Sequence, residues 1–414
     1  MRFGILSQWF DPEPGPAALP GVLARSLVER GHDVQVLTGF PNYPTGIIPD
    51  TYRGRRRSDE VQEGVSIRRV ALYASHDSSS LRRFSNYASF GLSATINGLR
   101  PLAGLDAIWV NYSPITVALP MWAARFLLRV PHVVHVLDLW PDTLLASGFA
   151  RHGPLYAPPM RALQYWTNAM YRTASSVAYI SPSVGGILHD RGVSRDKLHY
   201  VPMWADENIF RPTYQDLRRE LGIPDSSVVL LYAGTLGEAQ GLASLIDACS
   251  LVTDLSFTCI IAGSGVSESS LRTRAAEMGA SNVRFLGRLP SEAMPKLMAT
   301  SDMSYVSLRE HPLSRATMPS KTQAALASAK AMLVAATGDV AHVAQQSQGG
   351  IVTEPENPTA IAASIRHAHS LGRDELRRMG QRARDYYETE FSVAAGTKRI
   401  ESLLTMAAKR KVSS

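Results

Sequence analysis

The sequence predicts an α/β protein made of two Rossmann-like, doubly wound domains, and three observations carry that prediction. Residues Arg2–Phe10 (RFGILSQWF), the loop DPEPGP, a helical stretch from about Ala17 to Arg30 and the run GHDVQVLTGF read as strand, loop, helix and strand. The same order recurs from Val228, where VVLLYA is followed by GTLGEAQG and a helix over Leu242–Leu251. A chain of 414 residues is also too long for one core and divides most naturally into two domains of about 200 residues each.

Taken in order, the first helix ends at Gly31, a residue suited to a helix C-terminus. Strand-like runs rich in β-formers follow at Ser66–Leu72, Ala107–Asn111, His132–Leu137, Ser176–Ile180 and His199–Pro202, with helical runs between them. A polar connection, MWADENIFRPT, and a short helix Tyr214–Leu221 mark the boundary, giving domains at 1–203 and 204–391. Further strands are expected at Phe257–Ala262, Val283–Leu286, Met303–Leu308, Met332–Ala336 and Gly350–Val352. Two charged helices, Thr359–Leu371 and Arg373–Phe391, precede a bend, and a last helix at about 392–410 is expected to pack back on the first domain. Two such domains with facing strand ends leave a central cleft for two substrates.

Composition narrows the function. With 45% hydrophobic and 19% charged residues the chain is an ordinary globular protein. Its net charge of +7 is uneven, since residues 1–205 hold 20 Lys and Arg against 14 Asp and Glu and the remainder carries +1. The run Arg53–Arg57 and Leu81-Arg82-Arg83-Phe84 concentrate that charge, which suits anionic lipid, nucleic acid or a solvated face. No zinc spacing, RNA-binding aromatic motif or basic heptad helix supports nucleic acid as partner. Cys249 and Cys259 stand outside any C-x-x-C pattern and read as buried hydrophobes, and no metal site is visible. The N-terminus enters a strand without a charged leader, and no run reaches ~18 uninterrupted apolar residues. The expectation is a cytoplasmic protein. Leu81–Leu99, as a basic amphipathic helix at a surface or a helix packed in the core, leaves peripheral contact with the inner face of a membrane as one reading.

The chemistry concentrates in residues 301–337, which read as strand, polar loop, helix and strand. Pro319 suits the first turn of that helix, where a missing N–H costs nothing. Ser320 and Lys321 follow, and a cation there is unfavourable by roughly 0.3–1 kcal/mol unless an anion shares the site. Free N–H groups and one ammonium at the carboxyl end of a parallel sheet make a diphosphate site, the alternative being a solvated lysine. Gly234, Gly237 and Gly241 open the matching turn after Val228–Ala233, so that backbone can approach a phosphate closely and donate to it.

The fragments LSQWFDPEPGPA, ERGHDVQVLTGFPNYPTG, VALYASHDSS, DLWPD, YAGTLGEAQGL, NVRFLGRLP and PLSRATMPSK, in this order over residues 5–321, resemble the retaining glycosyltransferases of family 4. Within it they are similar to the capsule, colanic-acid and O-antigen (L-fucosamine transferase-like) branch. The resemblance implies the two-domain GT-B fold, a nucleoside-diphosphate sugar of UDP or GDP type held by the second domain as co-substrate, and a small-molecule or lipid-linked acceptor on the first. It implies retention, no metal and no resident cofactor. Gly287 and Arg288 stand where family members meet the nucleotide base, with Arg288 also able to reach the diphosphate. Asp138 in DLWPD is assigned to hold sugar hydroxyls and to stabilise positive character at the sugar carbon, with Asp142 as a helix cap and His135 as a packed residue. No D-x-D motif appears, so leaving-group charge falls to Lys321, Arg288 and backbone N–H groups.

The chain departs from the family at the donor grip. Ala324 replaces the Glu that holds the ribose, Arg315 stands where the branch tends to carry an acid, and Thr235 and Gln240 replace a basic pair. Gly15-Pro16 replaces a Gly-Gly turn near the phosphates, and Glu238 adds a negative charge there. Glu310 is the nearest acid that could fill the gap left by Ala324. The departures fit an unusual donor, a specialised acceptor, or a non-catalytic nucleotide-sugar-binding partner that keeps the fold. Sugar, acceptor atom and oligomeric state are not legible.

Overall fold

The computed structural model describes residues 1–13, 19–75, 80–143 and 157–412, which form two compact units, 1–202 with 396–414 and 203–395. The first unit holds β1 (Arg2–Leu6), β2 (Asp33–Gly39), β3 (Arg57–Gln62), β4 (Val65–Val70), β5 (Ala107–Asn111), β6 (His132–Val136), β7 (Ser176–Tyr179) and β8 (Leu198–Tyr200) in the order β3-β4-β2-β1-β5-β6-β7-β8. β1 runs parallel to both β2 and β5, so the strand order reverses at β1/β5. Every residue of β5 and β6 is buried, as strands covered on both faces require.

β3 corrects the sequence reading, which placed only a basic run there. RSDEVQ has almost no apolar content, yet it pairs antiparallel with β4 at the sheet edge, joined by a turn in which Glu63 and Gly64 adopt positive φ. Asp59 forms paired bonds to Arg68 of 2.6 and 2.7 Å, and Glu60 meets Arg69 at 3.1 Å. Cross-strand ion pairs thus hold an edge that hydrophobicity does not announce. β1 also ends at Leu6, four residues short of the predicted strand, because Ser7 and Gln8 turn their side chains to polar work.

The second unit holds β9 (Val228–Ala233), β10 (Phe257–Ala262), β11 (Val283–Gly287), β12 (Met303–Ser307), β13 (Ala331–Ala335) and β14 (Gly350–Thr353), all parallel in the order β11-β10-β9-β12-β13-β14. Val228, Leu230 and Tyr232 of β9 enter one core and Val229 and Leu231 another, so alternate residues serve the two faces. The order reverses at β9/β12. The predicted helix Tyr214–Leu221 is instead a turn. Its backbone is taken by tertiary partners, with Leu217 N–H donating to Thr300 Oγ1 at 2.8 Å and Arg218 reaching Ser227 O and Asp302. The two charged helices run as Pro358–Glu390, broken at Gly372, whose φ of 74° no helix contains. Helix Val393–Val412 follows and rejoins the first unit, where Glu401 meets Arg30 and His32 at 2.7 Å each.

Candidate active site

In an open parallel sheet, ligands bind beyond the strand carboxyl ends where strand order reverses. In the second unit that point lies between β9 and β12, and two of the predicted segments meet there. β9 leads into Gly234, and the loop after β12 leads into the helix Ser320–Ala327. Pro319 caps this helix from outside with φ of −64° and ψ of 137°, one position before the predicted first turn, so Lys321 is its second residue. The Lys321 ammonium lies 4.9 Å from the centroid of the Tyr232 ring. A side chain at Gly234 would come within 2.9 Å of the same nitrogen, so glycine there makes the room that Lys321 occupies. No carboxylate pairs with Lys321 among the described residues, and burial pushes its pKa below the lysine range.

The glycine turn departs from its expected role. Gly234 N–H donates to Ala262 O at 2.9 Å and Gly237 N–H to the Gln240 side chain at 3.1 Å, so neither donor is free for a phosphate. Their work is steric. Gly263, whose N–H donates to Gly287 O at 2.7 Å, lies so close that an added Cβ would collide with Gly234 O. Glycine is what lets the ends of β9, β10 and β11 converge. Thr235 O accepts the Tyr232 hydroxyl at 2.5 Å, which fixes the ring under Lys321. Gln240 O accepts from Ser307 Oγ at 2.7 Å, so Gln240 braces the turn against β12.

Glu310 does not reach toward Ala324. Its two oxygens accept from Arg315 Nε and Thr337 Oγ1 at 2.8 Å each, and these bonds hold its pKa below the ordinary carboxylate value. Ala324 is buried in its helix, and Arg315 is committed to the loop. Arg288 is exposed just past β11, and among the described residues no contact links it to Lys321. Gly15 lies outside the described residues.

In the first unit the corresponding point is β1/β5, and here the structure assembles residues that sequence reading missed. Asn111 at the end of β5 donates to Ser7 Oγ at 3.1 Å. Gln8 donates to Asn86 Oδ1 at 2.6 Å, and Asn86 donates to Tyr73 O at 2.7 Å and Asn42 Oδ1 at 3.4 Å. Gln8 Oε1 and Asn111 Oδ1 are buried without a partner among the described residues, so two acceptors stay open. Glu13, also buried, accepts the N–H groups of Phe10, Asn42 and Tyr43 at 3.1, 2.8 and 2.8 Å and ties the loops after β1 and β2 together. The one sequence signal was a polar residue closing an apolar strand, as in IWVN.

Asp138, beyond β6, is mostly buried. Burial raises its pKa, and a hydrogen bond from Ser113 partly offsets the rise. Its charge is felt by Tyr87, which packs edge-on to Trp9 at 6.1 Å. Asp142 is not available for chemistry, since it pairs with Arg191, whose other nitrogen donates to Trp140 O at 2.9 Å. His135 is a core residue. Its ring lies between the Trp109 N–H at 3.3 Å and Val201 O at 2.9 Å, and burial lowers its pKa to about 4. No group of three or more metal-ligating side chains occurs among the described residues.

Comparison with known proteins fits these two halves. Residues 15–204 match the Glycosyl transferase 4-like domain and residues 213–386 the Glycosyl transferases group 1 domain. The Escherichia coli (strain K12) protein WcaI, named as a colanic acid biosynthesis glycosyl transferase, is 26% identical over 87% of this chain and 90% of its own. The D-inositol 3-phosphate glycosyltransferase of Corynebacterium glutamicum (strain R) is 26% identical over 68% of each chain. Among solved structures, sucrose-phosphate synthase from Thermosynechococcus elongatus superposes with a TM-score of 0.72 at 17% identity over 98% of both chains. Anabaena HepE, solved with UDP-glucose, superposes with 0.67 at 18% identity over 98% of this chain and 100% of its own. The chain belongs to the family 4 glycosyltransferases of the GT-B fold, with a Glycosyl transferase 4-like domain followed by a group 1 domain.

Proposed function

We propose that this glycosyltransferase takes its sugar from a UDP- or GDP-sugar bound by the second unit and transfers it, with retention and without metal, to a small-molecule or lipid-linked acceptor on the first. The observation that carries the reading is Lys321. A half-buried, partly desolvated ammonium that lies against an aromatic ring and, among the described residues, has no carboxylate partner is unfavourable by itself, and a diphosphate is the partner that reverses the sign. Lys321 then stabilises the departing nucleoside diphosphate, with Ser320 and the helix N-terminus beside it. Arg288 is the exposed cation assigned to the base end of the nucleotide. The sugar nucleotide is a co-substrate, and no resident cofactor takes part.

Asp138 is assigned to the sugar, where a carboxylate in a weakly solvated position interacts strongly with developing positive charge. The open oxygens of Gln8 and Asn111 are suited to accept hydrogen bonds from acceptor hydroxyls. Calorimetry with UDP and GDP on wild type and Lys321→Ala tests the reading. One of the two is expected to bind wild type and to lose ~10-fold or more in affinity in the variant, about one decade per 1.4 kcal/mol. Wild-type protein that binds neither refutes it. Product anomer by NMR and turnover after chelation test retention and metal independence.

A further inference from the structure

We propose that the second unit carries a further small-molecule site, for a neutral saccharide, at the carboxyl ends of β13 and β14, and that this site is linked to the loop leading to Lys321. β13 and β14 are the last two strands of the sheet, with β14 at its edge. Between the chain that leaves them and the helix Asp339–Gln346 lies an open cleft of about 540 Å³, within the range of small-molecule sites. All of its lining residues fall between Ala336 and Pro355, and none belongs to the turn after β9 or to the helix Ser320–Ala327. It is therefore a second site and not an extension of the one around Lys321.

The polar groups of the cleft are uncommitted. His342, Gln345 and Thr353 line it, and among the described residues none of these three side chains makes a hydrogen bond. Thr353 is only 9% exposed, so its hydroxyl has lost most of its water without gaining a protein partner. Ala336, Ala341, Val352 and Pro355 supply apolar surface beside them. Glu354 is the one carboxylate in the lining, with one oxygen accepting from Asn357 Nδ2 at 2.8 Å and the other open. No Lys or Arg lines the cleft, and the arginines of the adjoining loop, Arg309 and Arg315, are held by Glu356 and Glu310 at 2.9 and 2.7 Å. A phosphate or carboxylate ligand would meet Glu354 with no cation to offset it, and an acyl or aromatic one would leave imidazole, amide and hydroxyl unpaired. A saccharide brings C–H faces for the apolar surface and hydroxyls that both donate and accept.

The walls of the cleft also hold the loop that precedes Lys321. In the wall after β13, Thr337 Oγ1 donates to Glu310 Oε2 at 2.8 Å, and Gly338 lies so close to the loop that an added Cβ would collide with Arg315 O. In the wall after β14, Glu356 follows Glu354 by two residues and accepts from Arg309 Nε at 2.9 Å and from Glu310 N–H at 3.0 Å. Residues 309–315 are thus fastened to both walls just before Ser320 and Lys321. A saccharide packed between the walls fixes them in the arrangement that holds the loop, so saccharide and nucleotide each tighten the other by the same factor. This link rests on the nucleotide site proposed above, whereas the cleft and its chemistry do not.

The test is saturation-transfer NMR on the full chain with D-glucose, D-galactose, D-mannose, L-fucose, L-rhamnose and N-acetyl-D-glucosamine, for wild type, His342→Ala/Gln345→Ala and the cleft-filling Ala341→Trp. At least one sugar is expected to bind wild type with UDP and GDP in excess, and to lose ~10-fold or more in affinity in the variants. The double variant removes only side chains without partners, so its melting should be unchanged even where Ala341→Trp disturbs the helix. Calorimetry then reads the link. The bound sugar should tighten nucleotide binding by ~5-fold or more, and Thr337→Val should abolish that gain while still binding the sugar. No binding by any of these sugars, or a sugar that binds the variants like wild type, would overturn the site. Nucleotide affinity that ignores the sugar, or a gain that persists in Thr337→Val, would overturn its link to the loop. Wild type that binds a sugar but neither nucleotide would overturn the donor reading and the link together and leave the saccharide site standing.

Discussion

At Lys321 stability and function pull in opposite directions. Burial depresses its pKa, so the folded chain holds this proton less tightly than the unfolded chain. The group therefore costs stability wherever the ammonium is charged in both states, and that cost is relieved as pH rises through the depressed value toward 10.5. Lys321→Met should accordingly raise the melting temperature of the ligand-free protein at neutral pH, while Lys321→Ala should lower transfer by ~100-fold or more. A melting temperature that falls in Lys321→Met would show that the ammonium is better solvated than its surroundings suggest. Asp138 has the opposite sign. Its raised pKa puts the acid limb of kcat above the ordinary carboxylate value, so turnover should fall as pH drops through it, and Asp138→Asn should remove that limb while leaving nucleotide affinity within a few-fold.

Among the elements, the turn after β9 was partly legible. Strand, glycines and helix were all readable, but the glycines were credited with N–H donors that Ala262 and Gln240 take. Spacing reports where backbone is permissive, whereas what occupies that space comes from a residue more than eighty positions away. Gly234→Ala should therefore displace Lys321 and weaken nucleotide binding ~10-fold or more, by calorimetry, without unfolding the sheet. The amide cluster of Gln8, Asn42, Asn86 and Asn111 left only one trace in the sequence, the polar residue that closes β5. Sheet order brings β1 beside β5 across a hundred residues, and no periodicity in a single strand encodes that meeting. β3 was missed for a different reason, because ion pairs rather than apolar alternation hold it.

For the molecule as a whole, each unit has its own means of cohesion. In the second, Asp302 is nearly buried and accepts from Val229 N–H at 2.8 Å, Arg218 at 2.6 Å and Arg373 at 2.9 Å, tying β9, the turn at 218 and the helix after Gly372 to one carboxylate. Asp302→Ala leaves Arg218 buried without its partner and should cost roughly 3–5 kcal/mol, read by denaturant unfolding as an earlier transition of the second unit. The helix Val393–Val412 has a consequence of another kind. It completes the first unit, through Glu401 with Arg30 and His32 and through Arg410 with Ser175 O at 3.2 Å, yet it follows the whole second unit in sequence. During synthesis the half that leaves the ribosome first is the half that closes last, and the surface around Arg30 and His32 stays open, a site for chaperones or for misassembly, until the helix Val393–Val412 has been made.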